Sequence, residues 1–237
     1  MLFNSPLSSE KANQIIQLLD ISQNGRILDI GCGTGEFLIR AVEATGANGL
    51  GIDMDGDAVS AAQENAAGRL PDGSYEFQTA DIQAASLSAE SFDVVICLGS
   101  THAFGSGEAA YPNALQGMTA LARPGGLLLI GEGYWKRPPA QPYLALIGDP
   151  VGIYRTHAEN ISFAEAQGLI PLYAVVSNDD EWDHFEWSHR MRIEREGVRN
   201  PDDPAVAEKV KRSRVWRDGY LRWGRSTMGF GFYLFMK

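Results

Sequence analysis

The chain is poor in cysteine, in long apolar runs and in basic charge. Its 237 residues include two cysteines, Cys32 and Cys97. Both are read as small buried residues that a cytoplasmic chain would keep reduced, with a disulfide or a nucleophile as the minor alternative. No apolar run reaches the roughly 18 residues that a membrane span requires. The opening residues, MLFNSPLSSEK, lack the basic segment and apolar core of a secretion signal. The expected location is thus cytoplasmic, with no membrane partner. Lys and Arg number 20 against 30 Asp and Glu, a formal net charge of −10. A duplex-DNA substrate is excluded on that balance and RNA is disfavoured, because phosphate-backbone binding needs clustered cations. One base-rich run, 209–225, is read as a solvated face paired with acids elsewhere. His184 and His189 are five residues apart, poor spacing for one helix face, so no metal site is expected. There is no internal repeat and no low-complexity segment.

The chain does carry a dense signal at residues 27–37, ILDIGCGTGEF. An apolar strand containing Asp29 runs into a loop with Gly31, Gly33 and Gly35 at alternate positions, and a helix follows. Glycine lets a ligand approach the backbone closely, having no Cβ and tolerating positive φ. The spacing is GxGxG rather than GxGxxG. Asp29 and Glu36 flank the loop, and two carboxylates repel a diphosphate. They favour a cationic ligand without phosphate, such as S-adenosylmethionine. About 20 residues on, a second short strand (48–52) closes in Asp53, placed to bind ribose hydroxyls.

Together these residues resemble the cofactor core of class I S-adenosylmethionine-dependent methyltransferases. The resemblance covers roughly residues 12–135 and extends weakly to the end. In it, 75–79 resembles the third strand and Asp81-Ile82 the adenine contact. FDVVICL (92–98) resembles the fourth strand, with Gly99 and Ser100 beside the cofactor, and 123–130 resembles the turn and fifth strand. The implied cofactor contacts are Asp29, Gly31, Cys32, Gly33, Gly35, Asp53, Met54, Asp81, Ile82, Leu98, Gly99 and Ser100. The Asn-Pro-Pro-aromatic motif of many nucleic-acid amino-methyltransferases is missing, its place reading Cys97-Leu98-Gly99-Ser100. A GEGYW-like end to strand five and a long late helical insert also resemble a bacterial branch of small-molecule methyltransferases.

Alternating strands and helices predict an α/β, Rossmann-like, doubly wound sheet. By resemblance it has seven mostly parallel strands and an antiparallel last strand lying between strands five and six. The whole chain, 1–237, is expected to be one domain. Residues 131–143 are too rich in Pro and Gly for regular structure. Residues 162–167 are expected to be helical, 169–177 to form strand six and 229–236 the last strand. Between these strands, 178–225 reads as a helical hairpin insertion, expected to be a lid, with Gly197 and Pro201 breaking its first helix.

The candidate base is His102, in the loop over the methyl group, since histidine titrates near neutral pH. Glu132, after strand five, is the other catalytic candidate. His102, Glu132, Tyr134, Trp135 and the lid's Trp182 are candidate substrate contacts. Methyl transfer mainly demands positioning, because the cofactor carries the reactive group. The expected activity is methylation of a small molecule at O, N or S, giving S-adenosylhomocysteine as product. Other readings are an S-adenosylmethionine-binding protein with different chemistry, an RNA or protein methyltransferase, and a nicotinamide oxidoreductase, which the flanking acids weigh against. Acceptor atom, use of a base and oligomeric state stay open.

Overall fold

The computed structural model describes residues 2–148 and 150–237. In chain order the elements are α1 (Ser9–Ile16), β1 (Arg26–Ile30), α2 (Glu36–Thr45), β2 (Asn48–Asp53), α3 (Gly56–Ala66), β3 (Tyr75–Thr79), β4 (Phe92–Leu98), α4 (Ala110–Leu121), β5 (Ala122–Trp135), α5 (Gln141–Ile147), α6 (His157–Ala166), β6 (Ile170–Val176), α7 (Asp179–Arg199), α8 (Pro204–Gly219) and β7 (Met228–Met236). The seven strands form one sheet in the order β3-β2-β1-β4-β5-β7-β6. Pairs up to β4–β5 are parallel, and β7 is antiparallel to both its neighbours. The order reverses between β1 and β4, and the carboxyl ends at such a switch are where open α/β sheets bind ligands.

The central strands are apolar on both faces because helices cover both. Ile27, Ile96 and Leu129 pack with Ala12, Ile15, Leu38 and Val42 of α1 and α2. Their strand neighbours Leu28, Val95 and Leu128 pack with Leu115 and Met118 of α4 and Ala164 of α6. Strand alternation makes this division, and burial on two sides explains the unbroken apolar runs. Helix starts follow their caps. Ser8 Oγ accepts from Lys11 N–H at 3.2 Å, Asp55 caps α3, and capping boxes open α6 (Thr156, Glu159) and α7 (Asn178, Glu181).

Two expectations are corrected. Residues 131–135 are strand, not irregular chain: β5 continues in register with β7, Glu132 opposite Gly231 and Trp135 opposite Met228. The glycines that argued against a strand make room for aromatics. A Cβ on Gly131 would lie 3.0 Å from the Phe230 ring, and one on Gly133 2.6 Å from the Tyr154 ring. Residues 141–147 then form α5, with Pro142 in the first turn, where its missing N–H costs nothing. Second, Gly197 does not break α7. A Cβ there would meet Val210 Cγ2 at 2.7 Å, so this glycine permits close approach of α8. Helix α6 also starts earlier than expected, at His157. The second hairpin helix ends at Gly219 and continues as a π-turn, Tyr220–Gly224.

The hairpin of α7 and α8 carries the expected cross-links. Lys209 bonds Glu196 at 2.6 Å, Arg214 bonds Glu194 at 2.9 Å, and Arg225, just beyond α8, bonds Asp183 at 3.1 Å. These exposed pairs contribute little individually. The anchor to the body is more buried: Glu181 pairs with Lys11 and accepts from Ser8 N–H at 3.1 Å. The hairpin is thereby held over the carboxyl ends of β4 and β5.

Candidate functional site

Each glycine of the loop after β1 answers a different demand. All three have positive φ, at +70° for Gly31, +53° for Gly33 and +77° for Gly35. A Cβ on Gly31 would lie 2.2 Å from Ser100 Oγ, and one on Gly35 2.7 Å from the Phe77 ring. Those two are packing glycines. A Cβ on Gly33 would meet nothing within 4 Å. Gly33 is therefore the point where the loop leaves backbone open to an incoming molecule. Its N–H donates to Asp53 Oδ2 at 2.8 Å, which ties the loop to the end of β2.

Beside this loop is a cleft of about 190 Å³ lined by Gly31, Asp53, Met54, Asp81, Ile82, Gln83, Ser100 and His102, among others. Met54 is 69% exposed although apolar, and Ile82 is buried at the base. The lining holds two carboxylates and no Lys or Arg. Such a lining, with carboxylates as acceptors, suits hydroxyls, amino groups and a flat apolar body, and offers no cation to a diphosphate. Asp29 lies deeper, 3% exposed, with no cationic side chain paired to it among the described residues. Burial, and secondarily the Asp53 carboxylate, push its pKa up to about 7. A buried carboxyl in this state favours a ligand that brings positive charge. The open Gly33, the unpaired Asp29 and the phosphate-averse cleft fit S-adenosylmethionine.

A second cavity, of about 270 Å³, is lined by Gly99, the residue before the Ser100 of the first cleft. Gly99 and Phe230 form its floor. Its walls come from the N-terminal Asn4, Ser5 and Pro6, from Tyr143 and Ile147 of α5, from Tyr154, from Trp182, Phe185 and Glu186 of α7, and from Trp216 and Tyr220. The hairpin thus roofs a chamber with many aromatic walls beside the first cleft.

The candidate residues divide between these places. Trp182 lines the second cavity. His102 lies on a 3-10 turn, Thr101–Phe104, that folds toward the loop after β3, where Gln83 Nε2 donates to Ala103 O at 2.9 Å. It is exposed and lines the first cleft with Asp53 and Asp81, away from the roofed cavity. Glu132 and Tyr134 are directed to the α4/α6 face by strand alternation, while Gly131 and Gly133 take the hairpin face: Cβ atoms there would meet Phe230 at 3.0 Å and Tyr154 at 2.6 Å. Glu132 is buried, accepting from Gly133 N–H at 2.8 Å and hydrogen-bonded to Thr101. Burial raises its pKa against these bonds. The Thr101 bond ties Glu132 to the turn that carries Ser100 and His102. Trp135 stands behind the cavity, edge-on to the wall residues Tyr143 and Tyr154, its indole N–H bonded to Val151 O at 2.9 Å. Both cysteines are free. Burial and then the Asp29 carboxylate push both thiols up, which favours the protonated, unreactive form. Among the described residues no His/Cys/Asp/Glu group could hold a metal, and no helix is long and apolar enough to cross a membrane.

Sequence reasoning missed Glu186, Phe185, Tyr143, Tyr154, Tyr220 and Phe230. One signal was available: Glu186 is an acid four residues after Trp182, on the apolar stripe of α7 rather than its polar face.

Comparison with known proteins agrees with this geometry. Residues 21–179 match the methyltransferase domain family. The crystal structure of the Escherichia coli protein YjhP superposes with a TM-score of 0.88 at 26% identity, covering 98% of this chain and 94% of that one. A methyltransferase from Geobacter sulfurreducens, solved with S-adenosyl-L-homocysteine, also gives 0.88 at 24% identity, covering 99% and 93%. The 27-O-demethylrifamycin SV methyltransferase of Amycolatopsis mediterranei is 30% identical over 210 residues, 89% of this chain and 70% of that protein.

Proposed function

The chain belongs to the class I S-adenosylmethionine-dependent methyltransferases, and from that premise we propose that its methyl acceptor is a small molecule held in the cavity between Gly99 and the α7–α8 hairpin. The observation that carries this reading is the cavity itself: about 270 Å³, rich in aromatic walls, and lined by Gly99, the residue before the Ser100 that lines the cleft suited to the cofactor. A nucleic acid or a folded protein would need an open, extended surface, and the hairpin and the N-terminal segment cover this one. The relative named for 27-O-demethylrifamycin SV takes a small molecule, which supports the same class here.

When bound, S-adenosylmethionine supplies an electrophilic methyl group on a sulfonium. The chain's own contribution is placement and exclusion of water. Asp53 and Asp81 would take hydroxyl and amino groups, Met54 and Ile82 a flat ring, and Asp29 an ammonium group. Gly99, with φ +75° and no side chain, lines the second cavity next to Ser100 of the first cleft. The aromatic walls orient the acceptor and keep solvent out, and orientation alone is worth several kcal/mol of barrier in such displacements. His102, in the first cleft, is a cofactor-side contact in this reading rather than the base.

Mass spectrometry on the purified protein with S-adenosylmethionine and a panel of phenols, amines and heteroaromatics tests the reading. It expects a product heavier by one methylene together with S-adenosylhomocysteine. Cofactor binding without methylated product across the panel, or transfer to RNA or protein instead, would overturn it.

A further inference from the structure

The α7–α8 hairpin holds another cavity, of about 450 Å³, between the facing stripes of its two helices. Toward the tip the seam is closed, with Val210 packed where Gly197 has no side chain. Toward the body it is not filled. Antiparallel helices normally seal such a seam with apolar side chains. Here Arg190, Lys209, Arg212 and Arg217 line it, and Glu186 is the one acid in the lining.

Three of these cations are engaged. Arg190 bonds Glu194 at 2.5 Å, Lys209 bonds Glu196 at 2.6 Å and Arg217 bonds its neighbour Asp218 at 2.7 Å. Glu194 is shared with Arg214, so the cations outnumber the acids that pair them. Arg212 is exposed and has no hydrogen bond or ion pair among the described residues. Glu186 accepts from Trp216 Nε1 at 2.9 Å, and burial raises its pKa against that bond, which lessens its repulsion of an anion. His189 stands edge-on to Phe185 and bonds Arg192. The other polar groups of the lining are the Tyr220 hydroxyl, given to Asp183 at 2.7 Å, the Ser213 hydroxyl and the Trp187 indole N–H. Trp187 and Trp216 are 43% and 44% exposed, although large and apolar. Arg212 and Trp216 stand one turn apart on the same face of α8.

We infer that this cavity binds a planar organic anion, such as an aromatic carboxylate, sulfonate or phosphate ester, with its ring against Trp187 and Trp216 and its anionic group on Arg212 and Ser213. A guanidinium fork matches such oxygens and an indole face takes such rings. The volume lies within the roughly 300–1,000 Å³ usual for small-molecule pockets, which favours a small anion over a nucleic acid. Phe185, Glu186, Trp216 and Tyr220 also line the cavity proposed for the methyl acceptor, so the two sites share a wall. They remain separate sites, and the functional reading stands or falls without this one.

The test uses the full chain, nitrogen-labelled and saturated with S-adenosylhomocysteine. Three probes sharing one ring system are titrated by NMR: naphthalene-2-sulfonate, 2-naphthalenemethanol and 2-naphthylmethylammonium. The sulfonate should move the Trp187 and Trp216 indole N–H signals. It should bind about tenfold more tightly than the alcohol, the low end for a hydrogen bond to a charged group, and the ammonium should bind weakest. Arg212→Gln should cut the preference for sulfonate over alcohol to below about threefold. Trp187→Ala should weaken both about fivefold, as loss of a stacking face implies. Both substituted side chains are exposed, and an unaltered thermal melt confirms that the variants fold. Sulfonate binding no tighter than the alcohol, a preference that survives Arg212→Gln, signals that move only at Gly99 and Trp182, or no binding of any probe would overturn the inference.

Discussion

Binding of the cofactor should release a proton from Asp29. In the ligand-free protein this carboxyl is 3% exposed and pushed up to about 7 by burial and the nearby Asp53. An ammonium group brought against it requires the ionised form, so binding draws the proton off. At about pH 6 only about a tenth of the molecules have Asp29 ionised. Affinity for S-adenosylhomocysteine should therefore fall about tenfold for each unit below pH 7 and level off above about pH 8. Titration calorimetry in buffers of different ionisation enthalpy should show close to one proton released per ligand at about pH 6 and almost none at about pH 8. Asp29→Asn should flatten the profile and weaken binding about tenfold to a hundredfold, the range for hydrogen bonds to a charged group. The same shift has a stability signature. The folded pKa lies above the unfolded value, so the native apo protein holds an extra proton between about pH 4 and 7. Its stability falls as pH rises through that window, by up to about 4 kcal/mol. Affinity that is constant between about pH 6 and 8, with no proton release, would refute the assignment of Asp29 to a cationic ligand group.

Further outcomes follow from the packing. Gly31→Ala drives a Cβ into Ser100 and should destabilise the fold by about 1–3 kcal/mol, whereas Gly33→Ala meets open space and should cost about 1 kcal/mol from its positive φ while weakening S-adenosylhomocysteine binding more; thermal melts and calorimetry separate the two. Lys11→Ala leaves the buried Glu181 without its cation and should cost about 3–5 kcal/mol, with early proteolytic cutting in the hairpin as the readout. A thiol reagent at about pH 8 should leave Cys97 unmodified in the native protein and react only after denaturant is added, because burial holds that thiol protonated.

The sheet was legible in the sequence because its strands are buried on two faces and its loop glycines sit at a fixed spacing from Asp29, Asp53 and Asp81. The place of β7 between β5 and β6 came from resemblance, since nothing in GFGFYLFM states which strands flank it. The glycines of 131–135 and Gly197 were misread because glycine breaks regular structure on its own, and here neighbouring side chains fill the space of the missing Cβ: Tyr154 at Gly133 and Val210 at Gly197. Local propensity cannot see that partner. The cofactor-side residues followed from strand ends, which the sequence marks. The cavity proposed for the acceptor did not, because its walls come from five separated segments that only the folded hairpin brings together. Glu132 and Tyr134 lie near it in sequence but on the wrong face of the strand, and His102 turns to the other side of Gly99.

The most direct test of the account is to follow the methyl group. The protein is incubated with S-adenosylmethionine labelled on that methyl and a whole cell lysate, and the label is then counted in the small-molecule and macromolecular fractions. Label should appear in a low-mass product with matching S-adenosylhomocysteine. Label confined to RNA or protein, or cofactor bound and never consumed, would contradict it.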